Sequence, residues 1–141
     1  MKIAKDFILD CSVTMTWCFK EEATRLSQIT QAALIENKAI VPSIWPLEVN
    51  NVLWVSIRTK KVTEIQAKRF KYILSGLPIV VDLKASDLRN ELILELAQEH
   101  KISCYDAAYL ELSLRERLPL ATFDRALAKA AKAAGVGVLA G

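Results

Sequence analysis

The chain of 141 residues contains one histidine, His100. A serine or cysteine triad would have to be built on that single imidazole, and no nucleophile motif flanks it. RNA cleavage through the 2′-hydroxyl wants two acid-base side chains near neutrality, which one histidine does not supply. Glycine is also scarce, at four. Gly135 and Gly137 fall at the chain end with no helix to follow, so no glycine-rich phosphate loop exists and nucleoside-triphosphate chemistry is argued against. The three cysteines, Cys11, Cys18 and Cys104, form no C-x-x-C pair and are odd in number. Each sits beside apolar neighbours, which points to buried thiols in a reducing cytoplasm and away from a disulfide framework or zinc site. Nowhere do about eighteen apolar residues run together, and Asp6 and Asp10 interrupt the amino-terminal apolar stretch short of a signal core, so neither a membrane span nor an export signal is expected.

What is present suits one domain over residues 1–141. The apolar fraction of 52% is ample for a core that needs no staples. Nineteen Lys and Arg against sixteen Asp and Glu leave a formal +3, compatible with a polyanionic partner but too mild to demand one.

Short β-rich runs alternate with longer helical patterns. "DFILD" (6–10) and "KAIVP" (38–42) read as strands, and the segment 21–37 between them carries Leu26, Ile29, Ala33 and Leu34 near helical spacing, a βαβ signature. Two helices follow over 46–61 and 63–76, with Pro46 tolerable in a first turn and Gly76 as a stop before the strand "PIVVDL" (78–83). A helix over 86–100 shows a leucine stripe at Leu88, Leu92 and Leu96, with Ser86 and Asp87 as cap candidates; a second helix, "YDAAYLELSLRER", comes directly after. "LPLAT" (118–122) is a short buried strand, "DRALAKAAKAAG" an alanine-rich helix closed by Gly135, and "VGVL" a last strand. This order predicts an α/β fold: a three-layer α/β/α sandwich around a mostly parallel sheet of about five strands.

In open parallel sheets ligands gather beyond the carboxyl ends of the strands. Those positions are acidic here: Asp10 ends the first strand, Glu48 lies in the first turns after the second, Asp106 opens a later helix and Asp124 follows "LPLAT". Each acid has a plain alternative role. Asp10, Ser12 and Asp124 suit helix N-caps, Glu48 favours the positive end of its helix, and Ser103 with Asp106 fits a capping box. For any one acid alone the plain role is preferred; four on one edge weaken it. Four neighbouring carboxylates cannot all stay ionised without a cation, and an all-oxygen donor set suits Mg²⁺ or Mn²⁺ rather than zinc. His100 is expected to serve a helix C-terminus instead. The chemistry left standing is a metal-activated water attacking a phosphodiester.

"ILDCSV", "VPSIWPLEVNNVL", "SCYDAAYLELS" and "LPLATFDRALAKAA" together resemble, in order and spacing, the motifs of PIN-domain nucleases, and more closely those of VapC-like toxin ribonucleases of toxin-antitoxin modules. The resemblance covers roughly residues 6–139. It implies that Asp10, Glu48, Asp106 and Asp124 are catalytic and hold one or two Mg²⁺ or Mn²⁺ ions, with Ser12 and Thr122 as hydroxyl contacts to metal-bound water or phosphate. It implies an endoribonuclease that leaves a 5′-phosphate and a 3′-hydroxyl. Its substrate would be single-stranded or loop RNA, with tRNA and rRNA among the candidates, and its partners a cognate antitoxin and a second copy of the chain. The other readings are a non-toxin RNA-processing or DNA-cleaving nuclease, and a catalytically silent partner-binding module. Asn51, one turn beyond Glu48, is a candidate to orient it or a solvated helix residue. Arg58 to Lys61, with Lys68, Arg69 and Lys71, form a candidate basic rim whose commoner meaning is a solvated face. Trp17, Trp45 and Trp54 are candidates for base stacking or subunit contact, and more commonly core.

Overall fold

The apolar run Phe7–Leu9 forms β1, and all three of its side chains are fully buried at 0% exposure. Successive strand side chains point to opposite faces, so both faces of β1 are covered, as a central strand of a parallel sheet requires. A computed structural model of the chain describes residues 2–19, 22, 24–84 and 86–139. The elements then run α1 (Cys11–Thr16), α2 (Arg25–Ala33), β2 (Ala39–Val41), α3 (Trp45–Arg58), α4 (Glu64–Ser75), β3 (Ile79–Val81), α5 (Asp87–His100), α6 (Cys104–Glu116), β4 (Leu120–Ala121), α7 (Arg125–Ala133) and β5 (Val138–Leu139). The strand order is β3-β2-β1-β4-β5 and every pairing is parallel. With helices on both faces this is the expected three-layer α/β/α sandwich. Every strand's carboxyl end therefore points to the same edge.

Local chemistry sets the helix boundaries. Thr24, Thr63 and Ser86 accept from the backbone N–H three residues on, and Thr63 with Gln66 completes a capping box. Pro46 sits in the first turn of α3, where its missing N–H costs nothing. Gly135, at φ +84°, supplies the left-handed residue that lets the chain leave α7 for β5.

Four points differ from expectation. The helix expected over 21–37 begins at Arg25 in the structure; Glu21 and Ala23 lie outside the described residues. Residues 11–16, given no helical reading, form α1, whose residues are buried on nearly every side and so show no amphipathic period. The leucine stripe of α5 faces the core only at its last member: Leu88 is 70% exposed and Leu92 41%, Leu96 packs partly buried against the core, and Ala97 is the helix's buried residue. Of the cysteines, Cys11 is buried, Cys18 half-buried and Cys104 exposed, so burial of the thiols holds only for the first.

Opposite the acidic edge of α6, at its last turn, Arg115 ties the loop after β3 to the helix. Its Nη2 lies 2.7 Å from Asp82 Oδ2, and its Nε donates to Glu111 Oε2 at 3.0 Å. Glu111 is thus a buried acid with its partner in place, and Asp82 is held below the usual carboxylate range by Arg115 despite the opposing effect of burial.

Candidate active site

The loops leaving β1 and β4 are stitched together by two hydroxyls. Asp10 Oδ2, just past β1, accepts from Ser12 Oγ at 2.7 Å and from Thr122 Oγ1 at 2.6 Å. Each hydroxyl spends its single proton on Asp10 and accepts a backbone N–H in return, Ser12 from Phe123 at 3.0 Å and Thr122 from Asp124 at 3.0 Å. Both residues expected as hydroxyl contacts to water or phosphate therefore have their protons committed to holding Asp10. Thr122 is buried along with it.

Glu48 lies in the first turn of α3 and faces the same cleft. Its Oε1 accepts from Tyr109 Oη at 2.6 Å. Tyr109 is wholly buried and stands one turn beyond Asp106 on α6, so one helix both presents an acid and fixes another. Asn51, the residue considered for orienting Glu48, is exposed and is not among the cleft residues. The ring of Tyr109 fits the apolar pattern of α6, so periodicity does not single it out; the signal in the sequence is its phenol, which seeks a partner when buried.

Asp106 occupies the first turn of α6, where its backbone N–H donates to the N-cap Ser103 Oγ at 3.0 Å. Asp124 is the N-cap of α7, and its Oδ1 accepts from Leu127 N at 2.9 Å. The plain capping role thus holds for Asp124, and it coexists with a place in the site. Asp10, Glu48, Asp106 and Asp124 all line one cleft of about 410 Å³, together with Ser12, Glu22 and Lys61. Of the basic run Arg58 to Lys61, Lys61 alone lines it. His100 ends α5 and is not a cleft residue. Trp45 is buried and donates to Thr14 Oγ1 at 3.0 Å, Trp17 donates to Ser27 O, and Trp54 is exposed.

The carboxylates act on one another. Burial first, and then the charge of Asp124, raise the pKa of Asp10 against the lowering effect of its two hydroxyl donors. Burial and the charges of Asp10 and Asp106 raise Glu48. Asp106 is pushed up to about 6 by burial, Asp124 and Asp10. The same field reaches Cys11, whose thiol is pushed up to about 12 by burial and by Glu48 and Asp10, so it carries no thiolate at neutral pH. Such a concentration of negative charge costs stability unless a cation or protons offset it. In kind and charge the oxygen donors fit a hard divalent ion. As they stand they do not enclose one: among the described residues, no group of three or more His, Cys, Asp or Glu side chains is gathered tightly enough to hold a metal.

Known structures share this architecture. PAE2754 from Pyrobaculum aerophilum superimposes with a TM-score of 0.73 at 20% identity, covering 99% of this chain and 91% of its own. A toxin-antitoxin complex from Klebsiella pneumoniae gives 0.58 at 20% identity, over 84% and 86% of the two chains. VapBC2 from Rickettsia felis, bound to a DNA fragment from its promoter, gives 0.63 at 15% identity, over 95% and 97%. No curated protein matches the chain. The PIN domain family model matches residues 7–133 and so takes in all four acids. From β1 with Asp10 to α7 beyond Asp124, the chain belongs to the PIN domain family.

Proposed function

We propose that this chain, as one PIN unit over residues 1–141, is a metal-dependent endoribonuclease that hydrolyses RNA phosphodiester bonds in the cytoplasm, and that it is the toxin of a toxin-antitoxin module. The observation that carries the reading is the convergence of Asp10, Glu48, Asp106 and Asp124 on one cleft at the carboxyl edge of the sheet, where burial and neighbouring negative charge raise the pKa values of Asp10, Glu48 and Asp106. Family membership supports nuclease activity. The toxin assignment draws support from folds shared with a toxin-antitoxin complex and with VapBC2. A cognate antitoxin and a second copy of the chain are the partners that follow.

In this reading the four acids hold one or two Mg²⁺ or Mn²⁺ ions. Such ions, when bound, neutralise phosphate charge and make a water nucleophilic at neutral pH. The chain's own work is positional. Ser12 and Thr122 fix Asp10 from two sides, and Tyr109 fixes Glu48, so two acids are held before substrate arrives. Asp106 and Asp124 stand at the amino ends of α6 and α7, whose free N–H groups favour an anion beside them.

The deciding experiment is RNA cleavage by the wild type and by Asp106→Asn, with Mg²⁺, with Mn²⁺ and with chelator, followed by sequencing of product ends. Metal-dependent cuts that leave 5′-phosphates and fall about a hundredfold or more in the mutant are expected. A folded wild-type protein that cuts no single-stranded, transfer or ribosomal RNA under any metal would refute the nuclease reading and favour a partner-binding module. Induction in a host without the neighbouring gene tests the toxin assignment separately: growth should arrest.

A further inference from the structure

The cleft is asymmetric in charge. Its four site acids lie at one end, and along α3 its wall runs from Glu48 through Val52 to Ser56, successive positions four residues apart on one face. At 1.5 Å per residue that wall rises about 12 Å from the acids. Beyond it lies Lys61, the one cation among the described cleft residues. Its Nζ sits 3.1 Å from Glu22 Oε1 and 3.9 Å from the centre of the Phe19 ring. An ordinary surface lysine sweeps a wide volume. This one meets a carboxylate and an aromatic face at once while lining the cleft.

Resting on the nuclease reading, we propose that Lys61 is the cleft's backbone-phosphate subsite, gripping a phosphate of the substrate strand away from the scissile one, and that Glu22 is a built-in competitor for it. The RNA phosphate and the Glu22 carboxylate are both oxyanions, and either can take the ammonium while the Phe19 ring keeps it in place. A polyanion entering a cleft with five acids meets repulsion over most of its length; Lys61 marks the point where attraction begins. Glu22 keeps that cation neutralised until a phosphate displaces it, so each binding event includes one exchange of carboxylate for phosphate.

The test measures the affinity of a labelled single-stranded RNA oligonucleotide in Mg²⁺, with every variant built on Asp106→Asn to stop turnover. Lys61→Met should weaken binding roughly tenfold at low salt and make the slope of log affinity against log salt shallower by about 0.7, one single-strand phosphate contact. Glu22→Gln should tighten binding, and it should lose most of that effect when combined with Lys61→Met, because what is left is only the removal of one of the cleft's five repelling charges. Lys61→Arg should recover most of the loss. Lys129→Met, an exposed change on α7, serves as the control for general charge. Two results would overturn the subsite while leaving the nuclease reading intact: equal salt slopes for wild type and Lys61→Met, or a Glu22→Gln effect that persists unchanged without the lysine. Absence of RNA binding by every variant, together with absence of cleavage by the wild type, would overturn both.

Discussion

At the scale of single residues, the hydroxyl of Tyr109 has a larger effect than its position suggests. Tyr109→Phe keeps the buried ring and removes one atom, leaving Glu48 without the donor that sits 2.6 Å away. Hydrogen bonds to charged groups contribute about 1.5–3 kcal/mol. In the metal-free protein, however, that loss is offset in part because Glu48 already has a raised pKa and accepts a proton more easily. The expected outcome is a weaker Mn²⁺ affinity, by about tenfold in calorimetry, with a smaller change in melting temperature. Asp106→Asn should behave in the opposite way. It removes a charge that Asp124 and Asp10 repel, so the metal-free variant should melt a few degrees above wild type by scanning calorimetry while losing cleavage. The acids were readable in the sequence because each follows a strand or opens a helix. Tyr109 was not, because an aromatic on a buried helix face is ordinary core until its phenol is seen to meet a carboxylate across 61 residues of chain.

Among the elements, α6 links the site to the scaffold: Asp106 in its first turn, Tyr109 in the next, and Arg115 at its end, clasping Asp82 and Glu111. Arg115→Met leaves two acids, both largely buried, without their cation, and should cost roughly 3 kcal/mol in urea unfolding. Metal titration should change far less, since Arg115 lies at the far end of the helix from Asp106. A contrast comes from leucines. Leu110→Ala on the wholly buried face of α6 should cost about 2–5 kcal/mol, and Leu88→Ala on α5 no more than about 0.5 kcal/mol. The periodicity that placed α5 correctly misled about which face is inside, because a stripe reports amphipathy only when polar residues alternate with it, and α5 carries leucines around much of its circumference. The short α1 went unread for the complementary reason: Val13, Thr14, Met15 and Thr16 are buried in succession, so no period marks them as helical.

For the molecule as a whole, the acidic edge sets how stability responds to pH. Asp10, Glu48 and Asp106 have native pKa values above their unfolded ones, so in the window from about 4 to about 6 the native state binds more protons than the unfolded chain. Stability of the metal-free protein should therefore fall as pH rises from about 4 through about 6. Asp82, shifted the other way, withdraws its contribution only below its ordinary value near 3.8 and does not counter the trend in that range. Saturating Mg²⁺ should flatten or reverse it, since an ion needs the deprotonated acids and binds only the folded chain. Melting temperatures across pH with and without the ion would check both halves. The three-layer architecture and its parallel sheet of about five strands were legible from alternating strands and helices, because right-handed crossovers leave few arrangements; the order of the strands was not, since alternation alone does not say which strands are neighbours. The hydroxyl stitching between Asp10 and Thr122 was not, since it depends on rotamers that no pattern records.

That stitching spans 112 residues. During synthesis the first acid leaves the ribosome early and must wait for almost the entire chain before Thr122 can hold it and β4 can lie beside β1. A nascent chain ending before Leu120 lacks the fourth acid and a neighbour of its central strand. No partly translated copy can assemble the acidic edge, so whatever that edge does begins only once synthesis is nearly complete.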